Sequence, residues 1–400
     1  MFSRVRDFLY RHRRKFVIGG AIIGGIALIS RYAERKLLEW HDQQTRILME
    51  KQKKRQHYDN THRTANVTIM SLSSSMKEAI SLELDADALL QAVREQPQHK
   101  QSIWDQLKIV GFSRAISAVY VSSLVASAVR VQLMLLGGYS FGDLICSGHA
   151  GTPISQVLQQ KYLAALHCLV EEGIPMLSQH ITKAVTHIIT GLPLMRPVTL
   201  CQLEAIFQEI RLTLAGETIS QEGLHERKTN KLDPWSRYVL HAPVSPEGDS
   251  SEDRVLYNML IETIDILDSE DFCTVMDTLI QHGINHLLDR MADFYPLPKS
   301  QQGVSGITQK WVDNVSKENP PSVSSDECAS TSSQDTPSHS LGFSSSSSLP
   351  VAKLVPVLSG IVHAALSPAP GQLLQKVLTD EKLDSLGANI YEAFALPIGQ

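Results

Sequence analysis

QHKQSIWDQLKIVGFSRAISAVYVSSLVASAVRVQLMLL, residues 98–136, is the longest apolar stretch with helical spacing in the chain. Between Arg114 and Arg130 it carries fifteen uncharged residues, which invites a transmembrane interpretation. A membrane-spanning helix needs about 20 predominantly apolar residues. Five of these fifteen bear hydroxyl groups, and an arginine stands at each end. The stretch therefore predicts a central buried helix rather than a membrane span.

Helical spacing continues over most of the remaining chain, whereas alternating strand-like runs are scarce. Further helices are predicted over residues 31–58, 62–95, 154–191, 197–216, 252–294, 350–366 and 372–394. The glycine-rich residues 137–142 are predicted to end the central helix, and the polar residues 217–250, with Trp235, to form a surface loop. The sequence therefore predicts an all-α fold, a single large helical bundle formed by residues 61–400.

A serine-rich segment interrupts this pattern at residues 299–348. It contains almost no apolar side chains, so it buries too little surface to offset the entropy of ordering. The roughly fifty residues that follow are too few for a separate core. The segment is predicted to be a disordered loop within the bundle domain.

A second uncharged stretch, FVIGGAIIGGIALIS, occupies residues 16–30 between two groups of basic residues. It reaches the length of a short membrane span only if Tyr32 and Ala33 extend it and basic side chains snorkel at its ends. A cleaved signal peptide is an alternative, but no small-x-small cleavage site follows; an amphipathic or buried segment is another. We interpret residues 16–33 as a retained transmembrane anchor after a short basic leader, residues 1–15. The apolar and glycine residues assigned to this anchor are Phe16, Val17, Ile18, Gly20, Ile22, Ile23, Gly24, Ile26, Leu28 and Ile29.

The charge of the chain is unevenly distributed. Residues 1–60 carry fourteen Lys and Arg against six Asp and Glu, a net charge of +8, whereas the whole chain carries −5. Lys51, Lys53, Lys54 and Arg55 form a basic cluster on the predicted helical stalk, residues 34–60. The cluster is either a solvated helix face or a contact with anionic lipid headgroups. The neighbouring apolar span favours lipid over nucleic acid, so no nucleic-acid partner is expected.

The five cysteines are scattered and show no metal-like spacing, which suits a reducing compartment and favours a cytosolic location for most of the chain. Residues Gly138 to Gly142 match the G-x-S-x-G pattern of a serine hydrolase, but that motif needs a strand before Ser140 and a helix is predicted there. His180 and His187 share a helix face without a third ligand in sequence. We therefore expect no enzyme activity, no cofactor and no metal, with a hydrolase using Ser140 as a distant alternative.

A binding surface is indicated at the start of the central helix. Four side chains fall on one helix face at i, i+4, i+7 and i+8, and two more end the preceding helix: Lys100, Trp104, Leu107 and Lys108, with Leu90 and Val93. A tryptophan beside aliphatic residues and rimmed by lysines fits a groove for an amphipathic partner helix. A tryptophan in the protein core has the same spacing and is the more common case.

Several tracts together carry a family resemblance: RTANVTIMSL (63–72), IWDQLKI (103–109), RVQLMLLGGY (130–139), DFCTVMDT (271–278), LLDRMADFY (287–295), LPVAKLVPV (349–357) and NIYEAF (389–394). With the basic leader, the glycine-rich span and the basic stalk, the chain resembles the peroxisomal biogenesis factor 3 family, also called peroxin-3. The serine-rich segment looks longer than the family usually carries.

The resemblance implies a single-pass peroxisomal membrane protein, with transit through the endoplasmic reticulum left open. The resemblance places its amino terminus in the lumen and its helical domain in the cytosol. The basic residues that flank 16–30 are slightly more numerous on the amino side and by themselves favour a cytosolic amino terminus. The family binds the import receptor and chaperone peroxisomal biogenesis factor 19 and so supports insertion of cargo membrane proteins. The resemblance places the receptor's amino-terminal helix on Trp104, Leu107 and Lys108, with Lys100 and Val93 upstream. Val93 stands where a leucine is expected, which shortens one contact. A tether on another organelle is the alternative.

Overall fold

The computed structural model describes residues 2–95, 97–146, 154–216, 234–245, 251–295, 347–369 and 372–395. Side chains are described from Ser30 onward, except those at 97 and 143–146. The chain divides into two compact units, Met1–Asn60 and Thr61–Gln400. The first unit consists of helix, and the second contains the bundle.

The described residues are almost entirely helical, and the all-α prediction is confirmed. The helices are α1 (Phe2–Ser71), α2 (Ser73–Glu83), α3 (Ala86–Glu95), α4 (Lys100–Cys146), α5 (Gln156–Cys168), α6 (Ile174–Ile189), α7 (Leu200–Ala215), α8 (Trp235–Val239), α9 (Ser251–Leu267), α10 (Glu270–Ala292), α11 (Val351–Ala365), α12 (Leu373–Leu378) and α13 (Glu381–Phe394). A 3₁₀ turn at Pro97–His99 joins α3 to α4, and a π-helical turn at Leu169–Gly173 joins α5 to α6. Two short strands, β1 (Pro197–Thr199) and β2 (Ser348–Pro350), pair antiparallel.

Side-chain caps fix several helix starts. Thr199 and Gln202 form a capping box at the start of α7, so each satisfies a backbone N–H that the helix leaves unpaired. Ser155 and Ser269 accept from backbone N–H groups at the starts of α5 and α10. Gly216 ends α7 with a φ of 79°, a left-handed conformation that glycine adopts without steric cost.

Helix α4 lies at the centre of the bundle and packs against α3, α6, α10, α11 and α13. Its residues Lys100–Gly142 are long and apolar enough to cross a membrane, but the most apolar window is 100% buried inside the protein. The buried central helix predicted from residues 98–136 is therefore confirmed. The side chains of residues 16–29 lie outside the described part of the chain, so the anchor at 16–33 stays a prediction.

The predicted break at residues 137–142 is wrong, because α4 continues to Cys146. A Cβ atom at Gly137 would lie 2.8 Å from Cγ2 of Thr61, and one at Gly138 would lie 2.7 Å from Cβ of Phe394. These glycines therefore allow α1 and α13 to approach α4 closely. Interior glycines cost a helix about 1 kcal/mol each, and the packing they permit offsets that cost.

Other predicted boundaries also shift. Residues 62–71 belong to the end of α1, and Trp235 begins the short helix α8 instead of lying in a loop. The predicted helix at 154–191 is two helices joined by the π-helical turn. Residues 217–233, 246–250 and 299–346, where the rest of the surface loop and nearly all of the disordered loop were predicted, lie outside the described residues.

Candidate docking site

The corner between α3 and α4 holds the predicted binding residues. Asp85 accepts a hydrogen bond from the backbone N–H of Ala88 at 2.9 Å, which fixes the start of α3. Helix α3 packs against α4, and the 3₁₀ turn joins them. The structure therefore brings Leu90 and Val93 of α3 to the same corner of the bundle as the first turns of α4.

The apolar side chains at this corner lie at two depths. Val93 and Leu107 are buried, with 8% and 1% of their surface exposed, so they belong to the floor between the helices. Leu90 is 40% exposed and Trp104 is partly exposed, so both side chains still present apolar surface to solvent. The part-exposed position of Trp104 distinguishes it from a fully buried core tryptophan.

The indole of Trp104 carries a further feature. Its Nε1 atom is buried and has no hydrogen-bond partner among the described residues. Buried tryptophan N–H groups usually find an acceptor, and an unmade bond costs about 1–3 kcal/mol.

Lys108 lies in a different place from the one that its spacing suggested. Its side chain is 1% exposed, and Nζ donates to the carbonyl oxygen of Leu192 at 2.6 Å and to Oδ1 of Asp105 at 3.1 Å. The ammonium therefore ties α4 to the segment after α6 and does not stand at an open rim. Hydrogen bonds to a charged group of this kind contribute about 1.5–3 kcal/mol each.

The charges around the corner are mixed. Lys100, the first residue of α4, is half-buried, and Arg94 is exposed. Asp85, Asp87 and Glu95 of the α3 region are exposed too. The rim is therefore less basic than the sequence spacing indicated.

The predicted membrane parts lie in α1. Residues 16–29 are helical, and their side chains lie outside the described part of the chain. Lys51, Lys53 and Arg55 are exposed and Lys54 is half-buried. Leu37, Leu38 and Leu48 are each more than 60% exposed, so the helix presents apolar as well as basic side chains.

The structure gives the catalytic alternative no support. Ser140 lies inside α4, with helix on both sides, and its Oγ donates to the carbonyl of Leu136 at 2.8 Å. A nucleophile elbow places its serine on a strained strand-to-helix turn. His180 and His187 both lie on α6, where Nδ1 of His180 contacts the hydroxyl of Tyr238 at 2.7 Å and His187 is exposed.

The fold and this corner define the chain as an all-α helical-bundle protein with a basic amino-terminal helix. The Peroxin-3 family matches residues 7–102 and 147–393, and the chain belongs to this family. The matched ranges contain Leu90, Val93 and Lys100, whereas Trp104, Leu107 and Lys108 lie in the interval between them.

The mammalian relatives extend over nearly the whole chain. Peroxisomal biogenesis factor 3 of Rattus norvegicus is 29% identical over 401 residues, covering 99% of each chain. The protein of the same name from Homo sapiens is 29% identical over 403 residues, with the same coverage. Peroxisome biogenesis protein 3-1 of Arabidopsis thaliana is 23% identical over 309 residues, covering 72% of this chain and 83% of that protein.

Proposed function

We propose that this chain is a docking receptor of the peroxisomal membrane that acts in peroxisome biogenesis. Its bundle binds an amphipathic helix at the amino terminus of the import receptor peroxisomal biogenesis factor 19. Membership of the Peroxin-3 family and the names of the full-length relatives support the peroxisomal role. The observation that carries the docking site is that Trp104 of α4 is partly exposed and Leu90 of α3, the helix packed against α4, is exposed.

Binding is driven by apolar burial. The incoming helix covers Trp104 and Leu90, while Val93 and Leu107 are already buried in the free chain and offer it little surface. Aromatic anchors of this type dominate interface energies because they remove a large area from water at little entropic cost. Lys100 offers a cation at the edge of the contact, and Lys108 acts indirectly by fixing α4 against the segment that contains Leu192.

Replacing Trp104 with alanine is expected to weaken binding of the receptor's amino-terminal peptide by about 2 kcal/mol, which corresponds to about 30-fold in Kd. This loss of binding free energy is small for a tryptophan anchor, because part of the Trp104 ring is already buried in the free chain. The measurement is fluorescence anisotropy of dye-labelled peptide with the full chain in detergent micelles.

Trp40→Ala is the matched control, since Trp40 is 58% exposed on α1 in the first compact unit. Its Kd is expected to equal that of the unchanged chain. Both variants are compared by circular dichroism, so that a loss of helix is not mistaken for a loss of binding. Equal affinities of the Trp104→Ala and Trp40→Ala variants would remove Trp104 from the docking site.

The membrane part of the proposal assigns residues 16–33 as a single-pass anchor, with the bundle in the cytosol and the cluster Lys51, Lys53, Lys54 and Arg55 facing lipid. A chain held by a spanning helix is expected to stay with membranes through alkaline carbonate extraction, because apolar burial does not depend on pH or salt. A peripheral chain held by basic side chains is released. Release of the full chain into the carbonate supernatant would contradict the anchor.

A further inference from the structure

The π-helical turn at Leu169–Gly173 lies against α8 and the segment that follows it. A Cβ atom at Gly173 would overlap the carbonyl oxygen of Tyr238 and lie 2.9 Å from its carbonyl carbon, so only glycine permits this approach. The hydroxyl of Tyr238 contacts His180 of α6 at 2.7 Å, which holds α8 from a second side. Residues just after α8 are thereby placed beside the last turn of α5.

Three metal-ligating side chains meet at this contact. Sγ of Cys168 lies 2.9 Å from Nδ1 of His241, and Nε2 of the same ring lies 3.2 Å from Oε2 of Glu172. One ligand atom from each residue lies within 4.8 Å of the others. Cys168 and Glu172 are four residues apart, and the π-helical turn begins between them. Turns of this kind occur often at functional sites.

The donor set selects a class of ion. Thiolate, imidazole and carboxylate together suit Zn²⁺, which binds sulfur at about 2.3 Å and nitrogen or oxygen at about 2.0–2.2 Å. Ligand atoms around one tetrahedral ion are then separated by roughly 3–4 Å. Sγ of Cys168 and Oε2 of Glu172 contact opposite nitrogens of the His241 ring, so one side chain must turn to bring all three donors to one ion through a single ring nitrogen. Hard ions such as Mg²⁺ and Ca²⁺ prefer oxygen donors and are disfavoured here.

We propose that Cys168, Glu172 and His241 form a zinc site that links the α5–α6 turn to the segment after α8. Water completes four-coordination. Binding converts the Cys168 thiol to thiolate and releases its proton to solvent, while His241 binds as the neutral imidazole through one nitrogen. The ion then crosslinks positions 73 residues apart in sequence.

The same three groups also resemble a cysteine nucleophile with a histidine base and a carboxylate that orients it. That chemistry needs a thiol whose pKa is lowered. Burial raises the pKa of the Cys168 thiol, and the carboxylate of Glu172 raises it further. His241 and Glu172 are largely exposed, so water has free access. The raised thiol pKa and the access of water therefore argue against nucleophilic catalysis. A bound cation stabilises the thiolate directly, so the raised pKa of the metal-free thiol does not count against metal binding.

Cobalt is the direct probe, because a Co²⁺–thiolate bond gives a charge-transfer absorption that Co²⁺ bound by oxygen and nitrogen lacks. The full chain in detergent is treated with chelator, freed of it and titrated with Co²⁺. One equivalent is expected to produce the thiolate band, and one equivalent of Zn²⁺ is expected to abolish it. Zn²⁺ is also expected to raise the midpoint of thermal unfolding.

Variants separate this site from other thiols. Cys168→Ser is expected to remove the band, and Glu172→Gln to weaken Co²⁺ binding at least tenfold. Cys201→Ser and Cys273→Ser are matched controls, since both thiols are exposed elsewhere, and both variants are expected to keep the band. No thiolate band in the unchanged chain, or a band that survives Cys168→Ser, would overturn the proposal. His241→Asn provides a second test if Cys168→Ser does not fold, and persistence of the band in that variant would equally overturn it.

Discussion

Replacing Gly173 with alanine is expected to lower the free energy of unfolding by about 3 kcal/mol. The backbone at Gly173 is right-handed helical, with φ −65° and ψ −44°, so alanine is conformationally suited to it and would by itself favour the helix. The loss comes from steric overlap, because the new Cβ atom meets the carbonyl group of Tyr238. A backbone carbonyl cannot rotate away as a flexible side chain can, so α8 must move.

Gly360→Ala supplies the matched control. Gly360 lies inside α11, and a Cβ atom there would meet nothing within 4 Å. The substitution is expected to raise the free energy of unfolding by about 0.5–1 kcal/mol, the helix preference of alanine over glycine. Urea unfolding of both full-length variants, followed by circular dichroism, measures the difference. Gly173→Ala as stable as Gly360→Ala would show that α8 does not approach the π-helical turn closely.

The Gly173 variant also connects stability with the zinc site. Movement of α8 carries His241 away from Cys168, since His241 follows α8 by two residues. We therefore expect the Gly173→Ala chain to bind Co²⁺ more weakly even at temperatures where it stays folded. The Gly360→Ala chain keeps the site unchanged.

The sequence predicted the central helix correctly because burial leaves a local signature. Hydroxyl groups and an arginine at each end are tolerated in a protein core, where helix carbonyls and neighbouring side chains offer partners. Ser122 donates to the carbonyl of Ala118 at 2.7 Å, and Arg114 donates to Ser359 at 3.2 Å and to Ser81 at 3.1 Å. The buried hydroxyls of Ser117, Ser123 and Ser127 have no partner among the described residues, so the core tolerates them at a cost. Composition within one stretch was therefore sufficient to separate a core helix from a membrane span.

The glycines at 137–142 show where local patterns fail. Paired glycines usually indicate a turn. At Gly137 and Gly138, however, the close approach of Thr61 and Phe394, which are distant in sequence, leaves no room for a Cβ atom. Tyr139 then stacks on Phe394 with ring centroids 5.5 Å apart and donates to Glu262 at 2.7 Å. Only the arrangement of the helices reveals that these glycines serve packing.

The candidate docking site was predicted in part. Helical spacing placed Trp104 and Leu107 on one face of α4, but spacing gives no depth, and Leu107 is buried while Trp104 is partly exposed. Lys108 was expected at an open rim because lysine is seldom buried. The carbonyl oxygen of Leu192, 84 residues away, accepts a hydrogen bond from the Lys108 ammonium and makes its burial possible. Sequence spacing also missed the contact of Cys168 with His241, since the ligands come from separate segments.

Arg130→Ala is expected to lower the free energy of unfolding by about 3–5 kcal/mol, the largest effect of any substitution considered for this chain. The Arg130 side chain is fully buried in α4. Its Nη2 donates to Oδ1 of Asn66 at 2.7 Å and lies 3.5 Å from Oδ1 of Asp384. The same carboxylate oxygen contacts Nε2 of His62 at 2.9 Å. One guanidinium therefore joins α4 to α1 and α13.

The loss in Arg130→Ala has two physical sources. The aliphatic part of Arg130 fills space against α13, where a Cβ atom at Gly387 would lie only 3.0 Å from its Cδ. Alanine leaves a cavity there and removes the donor that satisfies Asn66. Arg130→Met keeps most of the packing volume and removes the cost of a buried charge. We expect Arg130→Met to lower the free energy of unfolding by no more than about half the amount expected for Arg130→Ala, because Asp384 is 42% exposed and can be solvated by water.

Two further variants decide between packing and charge. Asp384→Asn is expected to cost about 1 kcal/mol or less, since a carboxylate this exposed is screened by solvent. Arg290→Ala, at an exposed arginine on α10, is expected to stay within about 0.5 kcal/mol of the unchanged chain. Urea unfolding of the full chain measures all four variants. If Arg130→Ala and Arg290→Ala unfold at the same urea concentration, the guanidinium of Arg130 does not hold the three helices together. If Arg130→Met and Arg130→Ala lower the free energy of unfolding equally, the polar contacts with Asn66 and Asp384 contribute more than the packing against α13.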